Sequence, residues 1–283
     1  SKGKWTFEAI DSCIQYLYQI DCAHVITVEA VRSEHGLHPV QQAMVDEMGS
    51  QCGYCTPGFV MALLALVEQQ QPLNREVVEL GLTGNLCRCT GYQQIYDAAL
   101  SLDFSRVPRL SERYQNREID RELEKNSGTP ALIHASAELY GEKDMKAYLP
   151  VTLTDAVDFL EEHPESLLVA GGTDVSVKLN KKQLEHGTVL CLNHVEELKT
   201  LSLEGDTLTV GAGLNWTELE HYCKEKLPEF HKILKTFGSP QIRNAGTLAG
   251  NIANASPIAD GVPFLLVTDS EVELTGSNGV RQV

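Results

Sequence analysis

The sequence predicts an α+β chain of more than one domain, and three observations carry that prediction. Residues 1 to about 100 read as helices punctuated by proline and asparagine caps, and they hold six of the eight cysteines. Residues 146–283 mix short β-type runs with helical periods. Between them, residues 103–145 are dense in charge from Arg113 to Lys125, weak in period, and broken by Ser127-Gly128-Thr129-Pro130. That stretch is expected to be a solvated linker loop. A length of 283 residues is itself a prior for about two domains.

Composition narrows the function classes. At 42% apolar and 22% charged residues the chain can bury a core and is not disordered by composition. Its 23 basic and 39 acidic residues leave a formal charge of −16. That disfavours a nucleic-acid binder or an anionic-membrane binder, since both need a basic field. The longest apolar run, Phe59 to Val67, falls far short of the roughly 18 residues a membrane span needs. No secretory leader pattern follows Ser1-Lys2-Gly3-Lys4, and eight cysteines are too few for a disulfide scaffold of this length. A cytoplasmic protein is expected. Val272 to Val283 alternates like a hairpin and stops without a cap, so both ends read as cuts in a longer polypeptide.

Local signals place the elements. Pro39 opens a helix over Gln41 to Met48 that stops at Gly49. Thr56 is expected to cap a second helix with Pro57 as its first residue. That helix, Gly58 to about Gln70, is apolar almost all round and should be buried on every side. Asn74 caps a third helix closed by Gly81, and a fourth runs from Gln93 to Leu102. Farther on, Thr152 and Asp155 form a capping box before Ala156 to Glu162. Ser166 to Ala170, Thr188 to Leu192 and Thr207 to Val210 read as strands, and Asn215 to Cys223 as a helix.

The cysteines are the strongest chemical signal. Cys52-Gly-Tyr-Cys55 and Cys87-Arg-Cys89 are two close pairs separated by helix, each beside turn residues. Thiolates near helix starts gain from the dipole and from free N–H groups, which also hydrogen-bond cluster sulfurs. Three readings remain open on spacing. A structural zinc site uses four cysteines, but its usual ribbon has two C-x-x-C pairs and a shorter gap. Redox C-x-x-C chemistry leaves Cys87 and Cys89 idle. A [2Fe–2S] cluster uses all four. Cys22, Cys191 and Cys223 have no partner pattern and read as structural.

Gly49-Ser-Gln-Cys-Gly-Tyr-Cys-Thr-Pro-Gly-Phe59 followed by Gly84-Asn-Leu-Cys-Arg-Cys-Thr-Gly-Tyr92 resembles the helical iron–sulfur domain of molybdenum hydroxylases, the family of xanthine dehydrogenases and aldehyde oxidases. The resemblance implies that Cys52, Cys55, Cys87 and Cys89 ligate the cluster nearer the molybdenum. It also implies that Gln51 hydrogen-bonds a molybdopterin held by a partner domain or chain. Upstream, Asp11-Ser-Cys13 with Val25-Ile-Thr-Val-Glu29 resembles the end of a plant-type ferredoxin domain, with Cys13 as its last cluster ligand. The C-x4-C-x2-C loop that supplies the other three ligands is absent from this sequence.

Two glycine-rich segments complete the pattern. Leu168-Val-Ala-Gly-Gly-Thr-Asp-Val175 is a strand running into a glycine turn; it is neither a P-loop nor a dinucleotide fingerprint. Gly171 and Gly172 permit close backbone approach and Thr173 adds a hydroxyl, the tools for holding a pyrophosphate. Taken alone, a tight surface turn explains them as well. Phe237-Gly-Ser-Pro-Gln-Ile-Arg-Asn-Ala-Gly-Thr-Leu-Ala-Gly-Asn251 continues to Asp260 and is rich in small residues, amides and hydroxyls. Such a surface suits an elongated ligand with many acceptors. Together the two segments resemble the flavin domain of the same family. The resemblance implies FAD contacts from Leu168, Val169, Ala170, Gly171, Gly172, Thr173, Asp174 and Val175. It adds Phe237, Thr247, Leu248, Ala249, Gly250, Asn251 and Asp260.

The expected order is the end of a plant-type ferredoxin β-grasp domain (1–30), a four-helix [2Fe–2S] domain (31–102), a linker (103–145), and an α+β FAD-binding domain, incomplete at its C-terminal end (146–283). The resemblance implies an electron-transfer portion of a xanthine-dehydrogenase-like oxidoreductase. Its partner would be a molybdopterin-binding subunit or domain in a hetero-oligomer, and its electron acceptor NAD or oxygen. Two other classes are weighed beside it: a zinc-stabilised helical interaction module with a non-catalytic α/β domain, and a free-standing flavin reductase with a structural cluster.

Overall fold

A computed structural model describes residues 6–34, 36–69, 73–137, 144–185, 187–255 and 261–283. Asp260 and Ser1 to Lys4 lie outside the described residues. The chain divides into two compact units. One comprises Ser1–Ile10, His24–Asp120 and Gly238–Asn244; the other comprises Asp11–Ala23, Arg121–Phe237 and Ala245–Val283.

The first unit is helical, and its caps explain where its helices start. α1 (Pro39–Asp46) has Pro39 as its first residue, with His38 Nδ1 accepting from the Val40 N–H at 3.3 Å. α2 (Thr56–Glu68) begins one residue earlier than expected, because Cys55 rather than Thr56 is the cap. The Thr56 hydroxyl is diverted to Ser50 Oγ at 2.8 Å. α3 (Arg75–Gly81) is capped by Asn74, whose Oδ1 accepts from the Val77 N–H at 2.9 Å. α4 (Gln93–Leu100) follows. The all-round apolar helix is the centre of the core: Phe59, Val60, Ala62, Leu63, Leu64, Leu66 and Val67 of α2 are all buried. Around it pack Val40, Met44, Val78, Ile95 and Ala98. Gly81 lets α3 approach, since a Cβ there would stand 2.6 Å from Leu66 Cδ2.

The expected linker loop holds regular structure instead. Arg117–Ser127 form a helix, α5, with no buried residue. Asn116 Oδ1 accepts from the Glu118 N–H at 3.0 Å, acids occupy the first turn, and Lys125 lies in the last. Capping and dipole complementarity thus replace the apolar stripe as the source of helix stability. The strand β1 (Ala131–Ala135) follows.

In the second unit β1, β2 (Met145–Leu149), β3 (Leu167–Val169) and β4 (Thr188–Cys191) form one sheet in the order β1-β2-β4-β3. β1 is antiparallel to β2, while β4 runs parallel to both β2 and β3. Such parallel pairs need crossover connections. α6 (Leu153–Glu162) links β2 to β3, and α7 (Thr173–Asn180) links β3 to β4. Tyr18, Leu149, Val169, Val189 and Cys191 are buried in one cluster of this unit. A hairpin of β5 (Leu201–Glu204) and β6 (Thr207–Val210) leads to α8 (Trp216–Lys226) and α9 (Pro228–Thr236). Asn215 and Glu218 form the capping box of α8, at 2.8 and 3.0 Å. α10 (Leu248–Asn254) and α11 (Gly261–Val267) lead to the final hairpin, β7 (Glu273–Gly276) and β8 (Gly279–Gln282). Trp216, Leu219, Phe230, Leu234 and Leu248 form the second core of this unit.

No described strand lies in residues 6–30; Ser12–Ile14 and Leu17–Ile20 are 3-10 turns and Val28–Val31 is one helical turn. Among the described residues no helix is long and apolar enough to cross a membrane.

Candidate functional site

The cysteine loops sit at the ends of α2 and α4. Gly53, at φ +83°, turns the chain between Cys52 and Cys55, and Gly91 and Tyr92, at φ +66° and +71°, turn it after Cys89. These turns bring the two loops together. Cys52 and Cys89 Sγ stand 3.6 Å apart, and the Cys55 thiol hydrogen-bonds the Cys87 sulfur. Cys87 is buried; Cys52 and Cys89 are exposed.

The spacing bears on what these thiols hold. Two sulfurs on one tetrahedral metal, with bonds of about 2.3 Å, lie about 3.8 Å apart. The sulfurs here form two close pairs, and no three of the four lie within 4.8 Å of one another. One zinc ion would need all four mutually close. Two metals, each held by one pair, suit the observed pattern, so the residues present fit a two-iron cluster.

Electrostatics distinguishes the four thiols. Cys87 Sγ accepts from the Thr90 hydroxyl at 3.2 Å and from the N–H groups of Cys89 and Thr90 at 3.4 and 3.5 Å. The hydroxyl is the largest cause of a Cys87 pKa lowered to about 7. The Cys87 N–H in turn donates to Tyr92 Oη at 3.0 Å. Cys55 sits at the start of α2, yet its pKa is raised to about 11. Burial and the adjacent Cys87 sulfur outweigh the helix dipole there. The expected stabilisation at a helix start therefore falls to Cys87 and comes from its own loop. Cys89 is also raised, first by its contact with Cys52. Gln51 is exposed on the same loop.

The glycine segments meet within the second unit. β3 runs into Gly171 and then Gly172, which at φ +70° is the N-cap of α7. The first-turn N–H groups of Thr173, Asp174 and Val175 have no intrahelical acceptor, as at any helix start, and Gly172 has no side chain to substitute for one. A strand end, a left-handed turn and an uncapped helix start are the kind of backbone arrangement that can receive an anion. Thr247 caps α10, its Oγ1 accepting from the Gly250 N–H at 3.0 Å. Asn251 Oδ1 is buried without a partner among the described residues. The backbone donors suit phosphate oxygens, and the Asn251 acceptor suits an N–H or O–H of a polar ligand.

Both glycines also have internal reasons. A Cβ on Gly171 would stand 2.0 Å from the Ala245 carbonyl oxygen, and one on Gly172 would stand 2.4 Å from Gln19 Nε2. Leu168 and Gly250 are exposed, Val169 and Leu248 are buried, and Ala170, Asp174 and Ala249 are half-buried. Phe237 is half-buried against Trp216, with ring centroids 4.4 Å apart. Gly238–Asn244, the middle of the expected flavin segment, belongs to the first unit. There Gln241 Nε2 donates to Asn85 Oδ1 at 3.1 Å. Cys13 is exposed, and its carbonyl accepts from Asn180 Nδ2 at 2.6 Å.

Three contributors escaped the sequence reading. Thr90 and Tyr92 lie inside the second cysteine motif, where a hydroxyl beside C-x-C was a usable signal. Gln19 donates to the Gly171 carbonyl at 3.1 Å from far away in sequence, which no local pattern announces.

Two regions of the chain match known families. Residues 27–100 match a family model described as a [2Fe-2S] binding domain. Residues 143–283 match one described as the FAD binding domain in molybdopterin dehydrogenase. A xanthine dehydrogenase of Emericella nidulans is 30% identical over 93% of this chain and 23% of its own length. A human (Homo sapiens) aldehyde oxidase is 28% identical over 96% of this chain and 24% of its own length. The chain thus spans about a quarter of the length of these relatives. A solved carbon monoxide dehydrogenase of Hydrogenophaga pseudoflava is 26% identical with a TM-score of 0.47, covering 48% of this chain and 49% of that one. The two cysteine pairs, the glycine turn at a helix start, and two domain models in this order lead to one assignment: the chain belongs to the molybdenum hydroxylase family, as a region carrying its [2Fe–2S]-binding and FAD-binding domains.

Proposed function

We propose that this chain is the electron-transfer portion of a xanthine-dehydrogenase-like molybdenum hydroxylase. It would carry electrons from a molybdopterin centre, on a partner subunit or another part of the same polypeptide, by way of [2Fe–2S] clusters to FAD and then to NAD or oxygen. The observation that carries this reading is the convergence of two cysteine pairs, with Cys52 and Cys89 Sγ 3.6 Å apart.

In this reading Cys52 and Cys89 hold one iron and Cys55 and Cys87 the other. Thr90 and the loop N–H groups hold negative charge on the Cys87 sulfur. Gln51, exposed beside Cys52, meets the molybdopterin of the partner. Thr173, Asp174 and Val175 offer N–H groups to the FAD pyrophosphate. Leu168, Val169, Ala170, Gly171 and Gly172 shape the turn that presents them. Thr247, Leu248, Ala249, Gly250 and Asn251 would add further FAD contacts, and Phe237 would lie by the flavin. Asp260, outside the described residues, completes the family set. Cys13 is the last ligand of a second, ferredoxin-type cluster, and residues 1–30 are the end of that domain. Bound at these sites, the clusters supply one-electron and FAD both one- and two-electron redox chemistry. The same reading puts the protein in the cytoplasm, where thiols stay reduced and free to ligate metal.

Cys87→Ser in the full-length protein tests the reading. The variant is expected to lose the iron of one cluster, lose one electron-paramagnetic signal, and stop reduction of FAD by substrate while FAD remains bound. Wild-type iron content in that variant would overturn the ligand assignment.

A further inference from the structure

A second group of potential ligands lies in the unit that holds the glycine turn. Its members are Asp21 and Cys22, at the end of the Tyr16–Ala23 segment, and His194, in the loop after β4. The His194 side chain is 9% exposed. Its Nε2 lies 3.3 Å from the Asp21 carbonyl oxygen, and its Nδ1 has no hydrogen-bond partner among the described residues. A carbonyl can only accept, so Nε2 donates to it. Nδ1 faces Asp21 Oδ2 at 3.9 Å. Cys22 Sγ lies 3.5 Å from the same oxygen.

Asp21 Oδ2 accepts from the Cys22 thiol, while His194 Nδ1 beside it is buried with no partner among the described residues, an unfavourable state that a cation held by the three side chains would relieve. The three atoms, one oxygen, one sulfur and one nitrogen, all lie within 4.8 Å of one another. Tetrahedral coordination by such atoms sets them about 3.3–3.8 Å apart, within reach of small side-chain rotations. Thiolate with imidazole selects a borderline divalent cation over calcium or magnesium. A ring N–H given to a backbone carbonyl is also the usual support of a metal-bound histidine. Cys22 sits at φ +57°, where glycine is at ease and a thiol residue is not.

We propose that Asp21, Cys22 and His194 bind one zinc ion, with water completing its shell. Binding releases the Cys22 thiol proton to solvent and leaves every redox state unchanged. The ion would fasten the Tyr16–Ala23 segment to the loop after β4. Asn193 Nδ2 already joins the two by donating to the Gln19 carbonyl at 3.2 Å, and the Gln19 side chain reaches the glycine turn. Zinc would thus brace that turn from behind. The proposal stands independently of what the turn binds.

The test uses the purified full-length protein, equilibrated with micromolar zinc, freed of unbound metal and analysed for zinc, iron and flavin. Wild type is expected to hold one more zinc per chain than Cys22→Gly or His194→Gln, with iron and flavin equal in all three. Cys22→Gly suits the left-handed backbone and so removes the ligand without straining the fold. X-ray absorption at the zinc edge of wild type, which needs no variant, is expected to give one sulfur neighbour among nitrogen and oxygen. Equal zinc in wild type and both variants would overturn the proposal, as would a zinc surrounded by four sulfurs.

Discussion

The Thr90 hydroxyl donates to Cys87 Sγ at 3.2 Å, and this bond sets Cys87 apart from the other cysteines of the two loops. It is the largest cause of that thiol's lowered pKa. A sulfur that attracts donors in this way carries more negative charge at neutral pH than its neighbours.

Thr90→Val is expected to leave a cluster assembled but to lower its midpoint potential. A donor to a ligand sulfur favours the reduced, more anionic state. A differential of about 1 kcal/mol moves a one-electron potential by roughly 40 mV. Thr90→Ser should restore the wild-type value because it keeps the hydroxyl, which also accepts from the Tyr92 N–H at 3.2 Å. Redox titration followed by electron paramagnetic resonance reads the shift. Identical potentials in all three proteins would remove Thr90 from the tuning of the cluster.

Gly171→Ala should be strongly destabilising. Its Cβ would fall 2.0 Å from the Ala245 carbonyl oxygen, and backbone must move to admit it. A cost at or above about 1–3 kcal/mol is expected, with lower flavin content as the two glycine segments part. Gly128→Ala is the control, since nothing lies within 4 Å of its Cβ position; it should stay within about 0.5 kcal/mol of wild type. Thermal unfolding with flavin quantification separates the two. A Gly171→Ala protein as stable as the control would contradict the close approach.

His38 should make the helical unit acid-sensitive. Burial, with a further contribution from Arg113, lowers the pKa of its ring below the ordinary histidine value of 6.5, against an opposing contact with Pro108. The folded state therefore binds fewer protons than the unfolded state at acid pH. The stability it contributes is complete above the unfolded value and is lost as pH falls through that value toward the folded one. Protonation also removes the Nδ1 lone pair that caps α1. His38→Asn keeps a capping oxygen and has no titration. Between about pH 7.5 and 5.5 its melting temperature should fall less than that of wild type. Parallel pH profiles would exclude His38 as the source.

Much of the local structure was legible because its causes lie within four residues. Pro39, Asn74 and the Asn215–Glu218 pair start helices where their side chains and backbones interact with the next turn. The uninterrupted apolar surface of α2 announced its burial. Thr56 misled by one residue because its hydroxyl went to Ser50 rather than to the helix. The stretch from Arg113 to Ala135 misled more. α5 is held by capping and charge, and β1 takes its conformation from pairing with β2, so neither has the apolar period that marks a buried element.

By itself the sequence determined which atoms are present in which local order: four thiols in two spaced pairs, a glycine turn opening a helix, and the hydroxyl beside Cys89. Those follow from covalent spacing and short-range conformational preference, and it was their resemblance to a family pattern that named the chemistry. Only the tertiary structure decided that the sulfurs gather as two pairs rather than one tetrahedron. It alone decided that Gly171 yields to the Ala245 backbone and that Asp21, Cys22 and His194 converge. Such contacts join residues far apart in the chain, and their distances are set by how the cores between them pack.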